Sequence, residues 1–235
     1  MLDKIRSLRI LNIIFRNIRK GSKLKILKYN KKIQNKLNID KKDFKDFKLL
    51  KELNQKFNLD IKDTEVTRLN LSCKNIGKNS ELMKYLKEID FNYLSEIQLS
   101  FNEISDIKNL CKFDKLKILR LDNNDKGNID ILKKKNLTGL KHLYLNYNKI
   151  SNINVLGKVE FEKLEYLDLS NNIIDNIKVL EKANFKELKS LNLCWNNIQD
   201  IKVLENVKFE KLEFLDLSNN KIENINVLDK ANFRN

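Results

Sequence analysis

One pattern recurs too regularly along this chain to leave many folds open. VTRLNLSCKNI from Val66, LSEIQLSFNEI from Leu94, LKILRLDNNDK from Leu116, LKHLYLNYNKI from Leu140, LEYLDLSNNII from Leu164, LKSLNLCWNNI from Leu188 and LEFLDLSNNKI from Leu212 align in phase, with successive starts 28, 22, 24, 24, 24 and 24 residues apart. Such a period specifies a stack of similar units, each contacting its neighbours. Within a copy, the second and third leucines, such as Leu143 and Leu145, are two apart and share one side of a short strand. Leu140 and Ile150 flank them and are expected to enter the same core. The remaining half of a copy reads like IDNIKVLEKANFKE: Ile177, Val179 and Leu180 suit one short helical turn, with Phe185 closing the core.

The pattern resembles the leucine-rich-repeat family, whose signature is L-x-x-L-x-L-x-x-N-x-L, over about residues 66–235. The I-x-x-I-x-V-L second half is similar to the class of the leucine-rich regulator of protein phosphatase 1 and to bacterial internalins. The resemblance implies an α/β solenoid with short parallel strands on a concave face and short helical segments on the convex one. It also gives Asn102, Asn124, Asn148, Asn172, Asn196 and Asn220 a structural role. In the family these asparagines form a ladder bonded to backbone inside the turn, and the first copy has Lys74 in that place. The expected organisation is a small, basic helical region over 1–62 and a seven-repeat solenoid over 63–235. Ala231-Asn232-Phe233 matches Ala183-Asn184-Phe185, so a further strand would begin at residue 236, and truncation or a covering subunit is expected at that end.

Charge separates the two regions. Residues 1–60 hold 18 Lys/Arg against 6 Asp/Glu, whereas 61–235 hold 29 against 26. Ile5, Leu8, Leu11, Phe15 and Ile18 mark one face of a helix that Gly21-Ser22 ends; Leu24, Leu27, Ile33 and Leu37 mark a second, and a short third element is expected from Lys42 to Phe57. The stretch SLRILNIIFRNIRKGSKLKILKYNKKIQNKL is similar to an F-box, though it lacks the leading Leu-Pro and the tryptophan of the second helix. Competing readings are an N-terminal cap on the first repeat and a basic amphipathic helix on an anionic membrane. Phe15 and Tyr29 are the only aromatics before residue 44, so the basic residues lack the interleaving that nucleic-acid binding uses.

The outward strand positions give a candidate surface. Counting from the repeat leucines, Phe101, Arg120, Tyr144, Tyr147, Tyr166, Asp168, Trp195, Phe214 and Asp216 fall where folding requires no such side chain. Solvent-facing aromatics bury much area with little entropy loss, so these nine are the expected contacts of a protein partner with apolar anchors and some basic character, docked across repeats four to seven. The competing reading is that the aromatics pack on one another, with Tyr147 and Trp195 tucked into their turns. Chemistry of other kinds finds no foothold: the chain has no Gly-rich phosphate loop, G-x-S-x-G or H-E-x-x-H, and its single histidine, His142, cannot build a metal site. Cys73, Cys111 and Cys194 stand in different repeats and read as free thiols of a reducing compartment. A non-enzymatic binding protein or scaffold, without cofactor, metal or small-molecule substrate and cytoplasmic or nuclear, is therefore expected. The narrower alternatives are an F-box-type substrate adaptor of a ubiquitin ligase and a phosphatase regulatory subunit.

Overall fold

The computed structural model describes residues 31–36, 41–74, 76, 80–104, 113–125, 127–133 and 137–229. The expected helix over residues 5–18, the F-box-like stretch up to residue 30, Cys111 and the terminal Ala231–Phe233 lie outside them. The chain divides into one compact unit of residues 1–66 and 81–93 and a second of residues 67–80 and 94–235.

The first unit is helical where described. Helix α1 spans Lys31–Lys36 and buries Ile33, while α2 spans Lys41–Phe57. The third element expected from Lys42 to Phe57 is this 17-residue helix, which begins one residue earlier. Leu50, Leu53 and Phe57, at i, i+3 and i+7, form its buried stripe. Asn54 then clamps the outgoing chain, donating its amide to the Ile61 carbonyl at 2.8 Å and accepting from the Ile61 amide at 3.0 Å. Helix α3, Ser80–Glu88, was not foreseen: the 28-residue first interval holds extra chain, and Leu82, Leu86 and Ile89 give it an apolar face. Phe57 meets Tyr85 edge-on at 6.4 Å, and Lys42–Asp90, Lys45–Glu88 and Lys56–Glu81 ion pairs link α2 to α3 and the residues after it.

The second unit carries the repeats. Strands β1 (Arg68–Asn70), β2 (Glu96–Gln98), β3 (Ile118–Arg120), β4 (His142–Tyr144), β5 (Tyr166–Asp168), β6 (Ser190–Asn192) and β7 (Phe214–Asp216) form one parallel sheet in chain order. Pairing is in register throughout, so Leu119, Leu143, Leu167 and Leu191 line up and are wholly buried. The second halves form single 3-10 turns, among them Asn154–Gly157, Lys178–Lys182 and Lys202–Glu205. Behind them Phe161, Phe185 and Phe209 stack at centroid separations of 6.5 and 5.9 Å, each 1 % exposed.

The asparagine ladder is present. Asn172 donates its amide to the carbonyls of Leu145, Leu169 and Ser170 at 3.0–3.1 Å and accepts from the Ile150 amide at 3.0 Å. Asn102, Asn124, Asn148, Asn196 and Asn220 likewise donate to one carbonyl of the preceding repeat and two of their own. A turn backbone that no strand can pair is satisfied this way from the second repeat to the seventh, while the first has Lys74 in that place. A second row does similar work: Asn128, Asn152, Asn176, Asp200 and Asn224 accept from the amide two residues on, at the start of each 3-10 turn.

Candidate functional site

In-register pairing brings the outward side chains of neighbouring strands side by side. At the centre of the strand face, the Arg120 guanidinium lies 3.8 Å from the Tyr144 ring centroid, Tyr144 is 4.9 Å from Tyr166, and His142 lies 6.0 Å from Tyr166 and nearly parallel to it. These four side chains are half-buried against one another, as the self-packing reading of the aromatics holds. The Tyr166 phenol is pushed up to about 12, by burial first, then by the charge of Asp168 and by Tyr144, with its hydrogen bond to Asp168 adding to the shift and Arg120 opposing it.

The two candidate aspartates are engaged by their own turns. Asp168, only 8 % exposed, accepts from the Ser170 amide at 3.0 Å and the Ser170 hydroxyl at 2.7 Å. Asp216 accepts from the Ser218 amide at 2.9 Å. Bonds from the Ser218 hydroxyl, then its amide and the Cys194 thiol, hold the Asp216 carboxyl below the usual carboxylate range. Burial, followed by the charge of Asp216, pushes the Cys194 thiol up. Asn70 and Asn192 accept the same bond from the amide two residues ahead, so this position serves the turn where it holds Asp or Asn, while Gln98, Arg120 and Tyr144 occupy it in the other repeats. Asp168 and Asp216 therefore lend the face fixed negative charge. Toward the first repeats, Arg68 and Gln98 both bond Glu96, at 2.6 and 2.5 Å, which neutralises that corner.

The residue before each ladder asparagine has a property the sequence did not announce. Cys73, Phe101, Asn123, Tyr147, Asn171, Trp195 and Asn219 all adopt φ between 52° and 57°. Hydrogen bonds to the next repeat impose it, as from the Tyr147 amide to the Ser170 carbonyl and from the Trp195 amide to the Ser218 carbonyl. Left-handed backbone costs an L side chain about 1–2 kcal/mol, least for asparagine, which the third, fifth and seventh repeats use. The second, fourth and sixth repeats carry large aromatics instead. These do not tuck into the turn: Phe101, Tyr147 and Trp195 are 56, 55 and 58 % exposed. Phe214, on β7, is similarly open at 54 %. The candidate residues thus divide into a mutually packed patch of Arg120, Tyr144 and Tyr166, two turn-bonded aspartates, and four projecting aromatics.

Among the described residues no group of three or more His, Cys, Asp or Glu side chains is placed to hold a metal ion, and no helix is long and apolar enough to cross a membrane.

Residues 138–182 match the family model for Leucine Rich repeats (2 copies), and residues 211–231 match the model for a single Leucine Rich Repeat. Among solved structures, internalin C2 from Listeria monocytogenes str. 4b F2365 is similar with a TM-score of 0.58 and 22 % identity, over 79 % of this chain and 88 % of that one. An internalin (inlF) of the same strain is similar with a TM-score of 0.52 and 24 % identity, over 72 % of this chain and 59 % of that one. Likeness at these identities is one of fold. A search of curated proteins finds no match.

Proposed function

Because this chain is a leucine-rich-repeat protein, we propose that it is a non-catalytic interaction module that holds a protein partner against the strand face of repeats four to seven. Leucine-rich repeats generally serve protein–protein contact, and the reading for this chain rests on one observation. Tyr147, Trp195 and Phe214 project into solvent from positions where the repeat needs no aromatic, two of them on backbone that disfavours one. Tyr144 and Tyr166 supply a firm floor, because rings already packed on neighbours lose little further freedom when a partner settles on them.

The test is co-purification from the native cell with the wild-type chain and with a Tyr147→Ala/Trp195→Ala/Phe214→Ala variant. A partner retained by the first and lost by the second, at equal thermal stability of the two baits, is the expected result. Equal retention by both removes the strand face from consideration. The identity of what is retained separates narrower roles: a linker protein of a cullin ligase makes the chain a substrate adaptor, and a phosphatase catalytic subunit makes it a regulator.

A further inference from the structure

The projecting aromatics at the turn are not scattered; they mark a fixed interval. Phe101, Tyr147 and Trp195 occupy one phase of the second, fourth and sixth repeats, with Asn123 and Asn171 between them. Parallel strands lie about 4.8 Å apart, which puts successive aromatics at about 9.6 Å. A polyproline-II chain rises about 3.1 Å per residue with three residues per turn, so one of its edges repeats every 9.3 Å or so. Over the two intervals the mismatch is below about 1 Å. An extended strand would turn every third side chain to the opposite face, and two helical turns advance about 10.8 Å, which falls out of step by more than 2 Å over the same span.

Charge follows the same beat. One strand beyond each aromatic stands a carboxylate, Asp122, Asp168 and Asp216 in the third, fifth and seventh repeats, with Asp122 two positions further along its copy than the other two. Asp122 accepts from the hydroxyl of Ser100, the residue before Phe101, at 2.7 Å. Asp216 bonds the thiol of Cys194, the residue before Trp195. The sheet register gives Asp168 the placement relative to Asn146, the residue before Tyr147, that Asp216 has relative to Cys194. Arg68 is paired with Glu96, and Asp122, Asp168 and Asp216 outnumber the remaining Arg120, so these strand positions carry net negative charge within a chain of net charge +15. The free backbone carbonyls of a polyproline-II ligand would face the side-chain amide of Asn171 and the second N–H of Asn123, whose amide also donates to Asp122 at 3.3 Å, in the gaps.

We propose that the Phe101–Tyr147–Trp195 row is a three-step seat for a basic segment in the polyproline-II conformation, laid across the strands with a proline or other apolar residue on the aromatics at every third position and Lys or Arg beside the carboxylates. This rests on the strand-face reading above and supplies its ligand class. Trp195 is the one tryptophan of the chain, so its fluorescence reports binding directly. The probe is a peptide of about 12 residues built of Pro-Arg-Pro repeats, long enough for the three steps. Controls of equal charge are oligolysine and a basic amphipathic helix.

The Pro-Arg-Pro peptide is expected to shift and quench Trp195 emission, saturably, at physiological salt. Phe101→Asn and Tyr147→Asn should each weaken binding about tenfold or more, the loss of one anchor. Both variants should melt at the same temperature as wild type or higher, since asparagine is the residue other repeats place there. Equal binding by oligolysine, or binding unchanged in the asparagine variants, overturns the proposal. Binding of the helical control alone overturns the conformation assigned to the ligand yet leaves the strand face as an interaction surface. Silence of all three peptides overturns the seat but not that surface, which stands or falls on the co-purification.

Discussion

Asn171 and Asn172 are adjacent and chemically identical, yet they do different work. Asn172 is buried and satisfies four backbone groups, whereas the contribution of Asn171 to folding is to tolerate φ of 54°. Asn172→Ala should therefore cost about 3 kcal/mol or more, because each buried backbone group left unpaired costs about 1–3 kcal/mol. Asn171→Ala should cost about 1 kcal/mol, measured by urea unfolding. Equal losses at the two sites would remove the ladder as the reason for the repeated asparagine. The Tyr166 phenol offers a second check at this scale. Its folded value of about 12 lies above the ordinary 10, so the fold favours its neutral form. That contribution is complete below pH 10 and is lost as pH rises through 12, so in an ultraviolet titration of the native protein one phenolate should appear late. Asp168→Asn should bring it earlier, since the aspartate's charge raises the value. The ladder was readable from the sequence because its spacing matches the leucines. The left-handed turn was not, because three repeats fill it with aromatics that carry no mark of backbone conformation.

Each strand is only three residues long, too short to hold without its neighbours, so the lateral contacts between repeats decide what is stable. The phenylalanine stack is one such contact: Phe185 touches Phe161 on one side and Phe209 on the other. Phe185→Ala should cost about 3–5 kcal/mol, the range for emptying a packed aromatic site. The Lys141–Glu165–Lys189 rung runs beside the strands in the same way and contributes far less. Both lysines are close to half exposed, and such ion pairs contribute about 0–1 kcal/mol. Bonds from Lys141 and then Lys189 hold the Glu165 carboxyl below its ordinary 4.5. A depressed carboxylate stabilises above its unfolded value, and that contribution disappears as pH falls through the folded one. The stability gap between wild type and Glu165→Gln should therefore close on acidification below about pH 4.5 and narrow in high salt. At this scale the sequence led to every strand, since L-x-L is a two-residue alternation that only a strand satisfies. It did not mark α3, although Leu82, Leu86 and Ile89 keep helical spacing, because an apolar stripe this short also fits the second half of a repeat, which elsewhere folds as a single 3-10 turn. The aspartates Asp168 and Asp216 were legible as outward positions but not as turn ligands, because a period-two pattern gives the side of a strand and not what the side chain then bonds.

Across the whole solenoid, cooperativity is a question of how far a disturbance travels. A repeat touches only the repeats beside it, and β1 to β7 follow one another in chain order with no crossover to tie distant copies together. Contacts between non-adjacent strands therefore cannot spread the strain of a single lesion, which passes from one neighbour to the next and weakens at each step. Phe185→Ala tests this, because the ring sits behind the fifth repeat with two described repeats following and four preceding. Amide exchange followed by mass spectrometry should show protection lost most in Tyr166–Asp168 and Ser190–Asn192, less in His142–Tyr144, and little in Glu96–Gln98. An equal loss of protection in β2 and β6 would mean that the seven strands open as one body. The aromatic row would then be held by the whole sheet rather than by each repeat and its neighbours, and replacing one anchor would loosen all three. A graded loss instead makes each aromatic an independently supported step, the condition under which a ligand that repeats every third residue can engage two of them when the third is removed.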